Sequence, residues 1–562
     1  MADASPLAAD AIAGATDPSL IAILADHWEW LMRWSPTWAT TLGDHRYDDQ
    51  LPKRDELSIA RYTAERDALI ARLLLCQPTG TDGVTRDLLL GHLEAQQGTD
   101  VMRSHEWAVD AYVSSPLSEL SNVVEAHVVK TPHDADQLVA RMGQGARLVG
   151  EAVANLRRGL ARGLVASKEQ LRRAVAQLDG ELAKPYAEWA IGSPRWAEQF
   201  PDHARKLRTI LETEIAPAIR ELASVYRDEL MPAGRGDVEG LAGLPDGDAM
   251  YRAAIRFHVG LQLDPRDIHE LGKREIAETD RQLAELGARV LGTTNLADTI
   301  HRLRTDPKLY FTTREELMAA AQDCLDRANA AAPRFFSVLP KTPCVMRETP
   351  AYAAPFSTVA HYQQPHYDGS KPGEYFVNTY KPETRSRFEL EALSWHEAVP
   401  GHHTQIAIAM ELGALPAFRK LDGSTAFVEG WALYTERLAD EMGLYSSDLD
   451  RLGKLSFDAW RGSRLVVDTG VHHFGWTRAQ AEAYMHEHTA LTPINISNEV
   501  DRYIGWPGQA LAYKIGQLEI LKLRAEAEQQ PHWDLKTFHQ IVLGAGAVTL
   551  PVLRARVTAW QS

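Results

Sequence analysis

Three imidazoles and one carboxylate fall within eight residues, at His396, Glu397, His402 and His403, in the run Ser394-Trp395-His396-Glu397-Ala398-Val399-Pro400-Gly401-His402-His403-Thr404-Gln405. Neutral histidines are zinc ligands, and a carboxylate beside them can take a proton from water that the metal acidifies, so the composition is that of a metal-assisted hydrolase. The spacing is unusual. In a His-Glu-x-x-His helix the two ligands stand four residues apart, about 6 Å of rise and roughly 40° of rotation. Here the fourth position is Pro400, and His402 and His403 follow His396 by six and seven residues. On an unbroken helix that separation is roughly 9 to 10 Å, too far for one ion.

Residues from about 385 to 410 otherwise carry a helical pattern, which implies an interruption between the histidines. Pro400 removes a backbone donor and clashes with the preceding turn, Val399 is pushed out of the helical region, and Gly401 admits unusual dihedrals. If Ala398–Gly401 loop out as a two-residue insertion, His402 arrives where the second ligand of an ordinary motif stands, whereas His403 needs three residues absorbed. His396 and His402 are the expected ligands, His403 is the alternative second ligand, and Glu397 is the expected general base. A catalytic zinc has one further protein ligand and keeps a position for water. Glu429 and Glu436, on a helix expected to begin near Ser424, are acidic residues on one face.

The run His396–His403, followed by Glu429-Gly430-Trp431-Ala432-Leu433-Tyr434, resembles a large bacterial family of uncharacterised proteins, the domain of unknown function numbered 885. Tyr375–Thr379 upstream and Glu499–Ala510 downstream extend the resemblance over nearly the whole chain, with specific motifs in the C-terminal half and general helical character in the N-terminal half. That family is grouped with zinc metallopeptidases whose third ligand is a glutamate. The resemblance therefore implies a mainly α, two-lobed, zincin-like metallopeptidase fold with a small β-sheet beside the metal-site helix. It implies Glu429 as third ligand and Glu436 as a partner behind the ligands. In related peptidases a late-helix Tyr or His faces the oxyanion, which makes Tyr503 and Tyr513 candidates, with His472 and His473 a second source. Arg502 or Lys514 could instead hold a substrate carboxylate. Zinc peptidases of this type hold extended substrate along a sheet edge, and Tyr375–Thr379 is the candidate edge, with Tyr375 and Asn378 as substrate contacts.

The elements that must position these groups are mostly helices. Apolar residues recur at helical spacing from Leu20 to about Gln77, in 86–97 and 117–129, and along 134–164. Ser167-Lys168-Glu169-Gln170 is a capping box that starts a helix, and 201–230 forms another, with a kink expected at Pro217. Residues 231–248, rich in Gly and Pro, mark a linker or channel loop between a helical lobe at about 18–230 and a catalytic lobe at about 249–560. Asp264-Pro265 opens a helix, as does Thr313-x-x-Glu316. Cys344–Met346 and Tyr375–Thr379 are the expected strands.

Composition bounds the partners. The 562 residues are 45% hydrophobic and 24% charged, a globular balance, and the net charge of −16 disfavours nucleic acid and anionic membrane. Three scattered cysteines, Cys76, Cys324 and Cys344, form no ligand-like pair and suit a cytoplasmic protein, and no export signal or apolar span of 18 residues is visible. No phosphate loop or nucleophile elbow is present. The expected activity is zinc-dependent hydrolysis of an amide bond in small or unfolded peptides. The alternatives are an inactive metal- or peptide-binding protein on the same scaffold, or a zinc hydrolase of a non-peptide amide.

Overall fold

Amphipathic helical runs with capping residues at their heads fold as helices in the computed structural model, which describes residues 5–109, 115–236, 238–350, 354, 358–365, 371–421 and 423–561. The protein is mainly helical with a small three-stranded sheet, and it divides into two compact units, Met1–Met250 and Tyr251–Ser562.

In the first unit the helices include Pro18–Trp34, Glu56–Leu75, Gly80–Gly98, Pro116–Ala126 and Lys168–Leu182. The stripe expected over 134–164 divides at Gly143 and Gln144 into Pro132–Met142 and Gly145–Ala161. Its apolar residues Leu138, Val149 and Leu156 join Leu171, Leu207 and Ile219 in one core. The Ser167 capping box forms: Gln170 N donates to Ser167 Oγ and Ser167 N to Gln170 Oε1, both at 3.2 Å. Around Pro217 the chain stays helical. The backbone widens to π-helical turns over Leu211–Ile215 immediately before Ala216–Ser224, which accommodates a residue with no N–H to give.

In the second unit, helix α1 spans Pro265–Leu291, and Asp264 caps it by accepting from Arg266 N at 2.9 Å. The sheet follows as β1 (Cys344–Glu348), β2 (Ala360–Gln363) and β3 (Gly373–Val377), in the order β1-β3-β2. β1 runs parallel to β3, with Met346 opposite Tyr375, and β2 runs antiparallel to β3, with Tyr362 opposite Tyr375. The expectation that Tyr375–Thr379 forms an edge is therefore corrected: β3 is the middle strand and both its sides are paired. Four-residue β2, carrying polar His361 and Gln363, was too short and too polar to stand out in the sequence.

Next come α2 (Arg387–Glu397), α3 (His402–Glu411), α4 (Thr425–Glu441), α5 (Asp448–His472), α6 (Pro493–Gly505) and α7 (Leu511–Ala527). α5 packs along α1 and α2, and α4 packs on α7. A Cβ on Gly430 would lie 2.5 Å from Gly516 Cα, so only glycines let α4 and α7 cross this closely. Cys76, Cys324 and Cys344 are free thiols. Among the described residues no helix is long and apolar enough to cross a membrane.

Candidate metal centre

The helix carrying His396 stops one residue later. α2 closes with Ala398 N donating to Ser394 O at 2.9 Å, and α3 opens at His402. All four residues Ala398–Gly401 leave the helix, so the interruption is a full turn between two helices and not a two-residue bulge within one. A Cβ at position 401 would stand 1.9 Å from His396 O, which is why glycine follows the proline. The turn is tied to α4: Trp431 Nε1 donates to Pro400 O at 3.0 Å, and Thr435 Oγ1 to Trp395 O at 3.2 Å. These two bonds bring the Glu429 end of α4 against both imidazoles.

The result is one convergence of three donor atoms. Ligand atoms of His396, His402 and Glu429 all lie within 4.8 Å of one another. Glu429 Oε2 is 3.4 Å from His402 Nε2 and 3.7 Å from His396 Nε2. The two rings stand at 87° with centroids 4.8 Å apart. Donors bound tetrahedrally at 2.0–2.1 Å are about 3.3–3.4 Å apart, so the spacing fits an ion such as zinc better than it fits direct hydrogen bonds. His396 is 2% exposed, and its Nδ1 is 2.8 Å from Glu436 Oε1, which assigns Nδ1 the proton and points the Nε2 lone pair inward. Buried His402 Nδ1 has no hydrogen-bond partner among the described residues.

Charge favours a cation here. Burial alone would lower the His396 pKa, but Glu429 and Glu436 outweigh it and push it up to about 9. Burial alone would raise Glu429, and the two histidines instead hold it well below the usual carboxylate range. In such a cluster a proton and a metal compete for the same lone pair, and metal uptake releases the proton. Two carboxylates, buried Glu436 and half-buried Glu429, lie against the imidazoles and would balance a divalent ion. Glu397 is half-buried next in sequence to His396.

A family model described as "Bacterial protein of unknown function (DUF885)" matches residues 36–557. The chain belongs to this family. Among solved structures it is similar to a putative lipoprotein from Colwellia psychrerythraea, at 26% identity and a TM-score of 0.89, with 97% of this chain and 99% of the other covered. It also shares its fold with a putative lipoprotein of unknown function from Shewanella oneidensis, at 20% identity and a TM-score of 0.75 over 96% and 98% of the two chains. No curated protein matches it.

Other expected site residues are placed elsewhere. His403 faces away from the cluster: its Nδ1 meets Tyr362 Oη at 3.0 Å and its Nε2 meets Thr342 O at 3.1 Å. One helical step from His402 turns it toward the sheet, against Gly373, where a Cβ would lie 2.5 Å from His403 Nδ1. Tyr375 is fully buried with its hydroxyl 2.9 Å from Ser394 Oγ, so it braces α2 and does not contact substrate. Asn378 is also fully buried, and its amide donates to Ala354 O and Thr358 O at 2.8 and 3.0 Å, holding a loop. Lys514 is fully buried between Asp458 at 3.0 Å and Glu275 at 3.3 Å, a structural ion pair and not a substrate anchor. Tyr503, 1% exposed, gives its proton to Glu499 Oε2 at 2.6 Å while accepting from Arg464 and Trp460, so its hydroxyl is committed.

Tyr513 and Arg502 are half-buried and remain candidates. Arg502 Nη2 donates to Tyr513 Oη at 3.2 Å and to Gln509 Oε1 at 2.6 Å. His472 Nε2 is 2.9 Å from Tyr503 O, inside the packing. Three residues escaped the sequence analysis. His361 of β2 stacks on Phe376 at 4.9 Å and 6°; burial lowers its pKa, and nearby Glu397 raises it. Arg461 and Arg464 sit inside α5, and their only sequence signal is arginine within Leu452–His472, a segment buried at nearly every position.

Proposed function

We propose that this protein is a zinc-dependent hydrolase of amide bonds, a peptidase of zincin-like fold acting on small or unfolded peptides. The observation that carries the reading is the convergence of ligand atoms of His396, His402 and Glu429 within 4.8 Å of one another, with Glu429 Oε2 at 3.4 and 3.7 Å from the two imidazoles and Glu397 next in sequence to His396. A zinc ion held by those three side chains would acidify a water molecule and polarise the carbonyl under attack. Glu397 takes the proton and returns it to the leaving amine, a role worth about 10²- to 10⁴-fold in rate. Glu436 keeps His396 in the tautomer whose Nε2 is free to bind. Tyr513, with Arg502 on its hydroxyl, is the remaining phenol able to face a developing oxyanion. β2, an outer strand of the sheet among the described residues, packs on α2 and reaches the cluster's neighbour His403 through Tyr362, which makes it the better strand to receive an extended peptide.

Unpaired cysteines favour a cytoplasmic location, whereas the similar structures come from proteins described as lipoproteins; fractionation of the producing cell decides between them. The test of function is metal content together with Glu397→Gln assayed on a mixed peptide library. The expected outcome is about one zinc per chain in both proteins, with turnover reduced at least about 10³-fold in the variant. Zinc in both without turnover in either would leave an inactive binding protein.

A further inference from the structure

Arg461 and Arg464, three residues apart on α5, are 4% and 2% exposed. Arg464 donates from Nε to Tyr503 Oη at 3.0 Å and from Nη2 to Glu499 Oε2 at 2.9 Å, while its Nη1 has no hydrogen-bond partner among the described residues. Arg461 comes no closer than 3.8 Å to Glu436 Oε1, and its Nε and Nη1 have no partner among those residues either. Its guanidinium lies over the Trp460 ring at 4.2 Å, and that of Arg464 lies over Tyr513 at 4.2 Å. Half-buried Arg502, 3.5 Å from Glu499, adds a third cation. Glu499 thus serves Arg464 and Arg502, and the carboxylate nearest Arg461 is Glu436, which is engaged with His396.

An unmet buried N–H is costly, most of all on a charged group, so a fold that keeps several together at one place has a use for them. We propose that Arg461, Arg464 and Arg502 bind the terminal α-carboxylate of a short peptide. The planar guanidinium fork matches a carboxylate, and the Trp460 and Tyr513 rings stacked on Arg461 and Arg464 hold those forks in place. Arg461 adjoins Glu436, which adjoins His396, so the anchored terminus lies one side chain behind the metal ligands. This deepens the hydrolase reading and rests on it: a peptide held so presents a bond near its C-terminus, the geometry of a carboxypeptidase or dipeptidase.

The test measures binding without turnover, by calorimetry on full-length Glu397→Gln protein with N-acetyl-alanyl-alanine, its C-terminal amide and inorganic phosphate. The acid binds about 10- to 100-fold more tightly than the amide, the value of one or two charge-assisted hydrogen bonds. That preference falls below about threefold in Arg464→Lys, which keeps the charge and loses the fork, and in the more exposed Arg502→Gln. It persists in His402→Ala, which lacks a metal ligand. Equal binding of acid and amide overturns the proposal. So do a preference unchanged in both arginine variants, one abolished by His402→Ala, and tighter binding of phosphate than of the acid. A hydrolase reading that failed for want of turnover would leave this acid preference intact, so the two failures are distinguishable.

Discussion

Glu436 and Arg437 are consecutive on α4, yet their side chains enter two buried charge clusters of opposite character. Arg437 joins a closed network: its Nη2 reaches Asp458 at 3.1 Å, Asp458 meets Lys514 at 3.0 Å, and Lys514 meets Glu275 at 3.3 Å. Each charge there has an opposite charge at hydrogen-bonding or near hydrogen-bonding distance. Glu436 joins the other cluster, where two imidazole nitrogens face one carboxylate oxygen of Glu429 at 3.4 and 3.7 Å, longer than the usual direct hydrogen bond. The first cluster is complete in itself and serves stability; the second, on the proposed reading, is completed by a cation.

The comparison breaks most visibly on removal of one member of the closed network. Lys514→Met leaves Asp458 with Arg437 and the charge of Lys454 and costs about 3–5 kcal/mol of stability, seen in urea unfolding, while zinc content stays that of the parent. A cost below about 1 kcal/mol would mean the network is not closed. Glu436→Gln has the reverse signature. It weakens zinc binding about 10- to 100-fold in chelator competition, because the amide still orients His396 without its charge. If stability fell and zinc affinity did not, Glu436 would belong with Arg437.

The last effect is in pH dependence, and it contrasts two carboxylates ten residues apart on α5. Burial alone would raise Asp458, but Lys514 and Arg437 outweigh it and hold its carboxyl well below the usual range. The stability it contributes is present above its ordinary value of 3.8 and is lost as pH falls through the depressed folded value. Asp468 lies equally deep with only Tyr251 Oη at 2.5 Å and Gly508 N at 3.1 Å as donors, and burial pushes it up to about 7. Its contribution is complete below 3.8 and is lost as pH rises through about 7. Relative to the parent, Asp468→Asn therefore gains about 2–3 kcal/mol between pH 5 and pH 8, while Asp458→Asn recovers only in acid. Parallel pH profiles for the two variants would contradict the assignment.

Much of this was legible in residue types and spacing, because local rules decide it. Pro400 beside Gly401 announced a break in the helix, Ser167 and Asp264 announced helix starts, and the break announced convergent histidines. The extent of the break was not legible. Whether two or four residues leave the helix depends on Trp431 and Thr435, which tie the turn from more than 30 residues away. The same distance problem hid the roles of Tyr503, Tyr375 and Lys514. Each residue type can do chemistry, and each is spent on a partner, Glu499, Ser394 or Asp458, that only the fold brings near. Conversely, Arg461 and Arg464 looked like the surface residues arginines usually are, and only burial without full pairing marks them.

Adjacent histidines give the most direct test of a cation gathered by an interrupted helix. Zinc per chain is measured by mass spectrometry after purification of the parent, His402→Ala and His403→Gln. About one zinc is expected in the parent and in His403→Gln, whose side chain serves Tyr362 and Thr342, and less than about a tenth in His402→Ala. Zinc retained by His402→Ala, or lost equally from both variants, would contradict it.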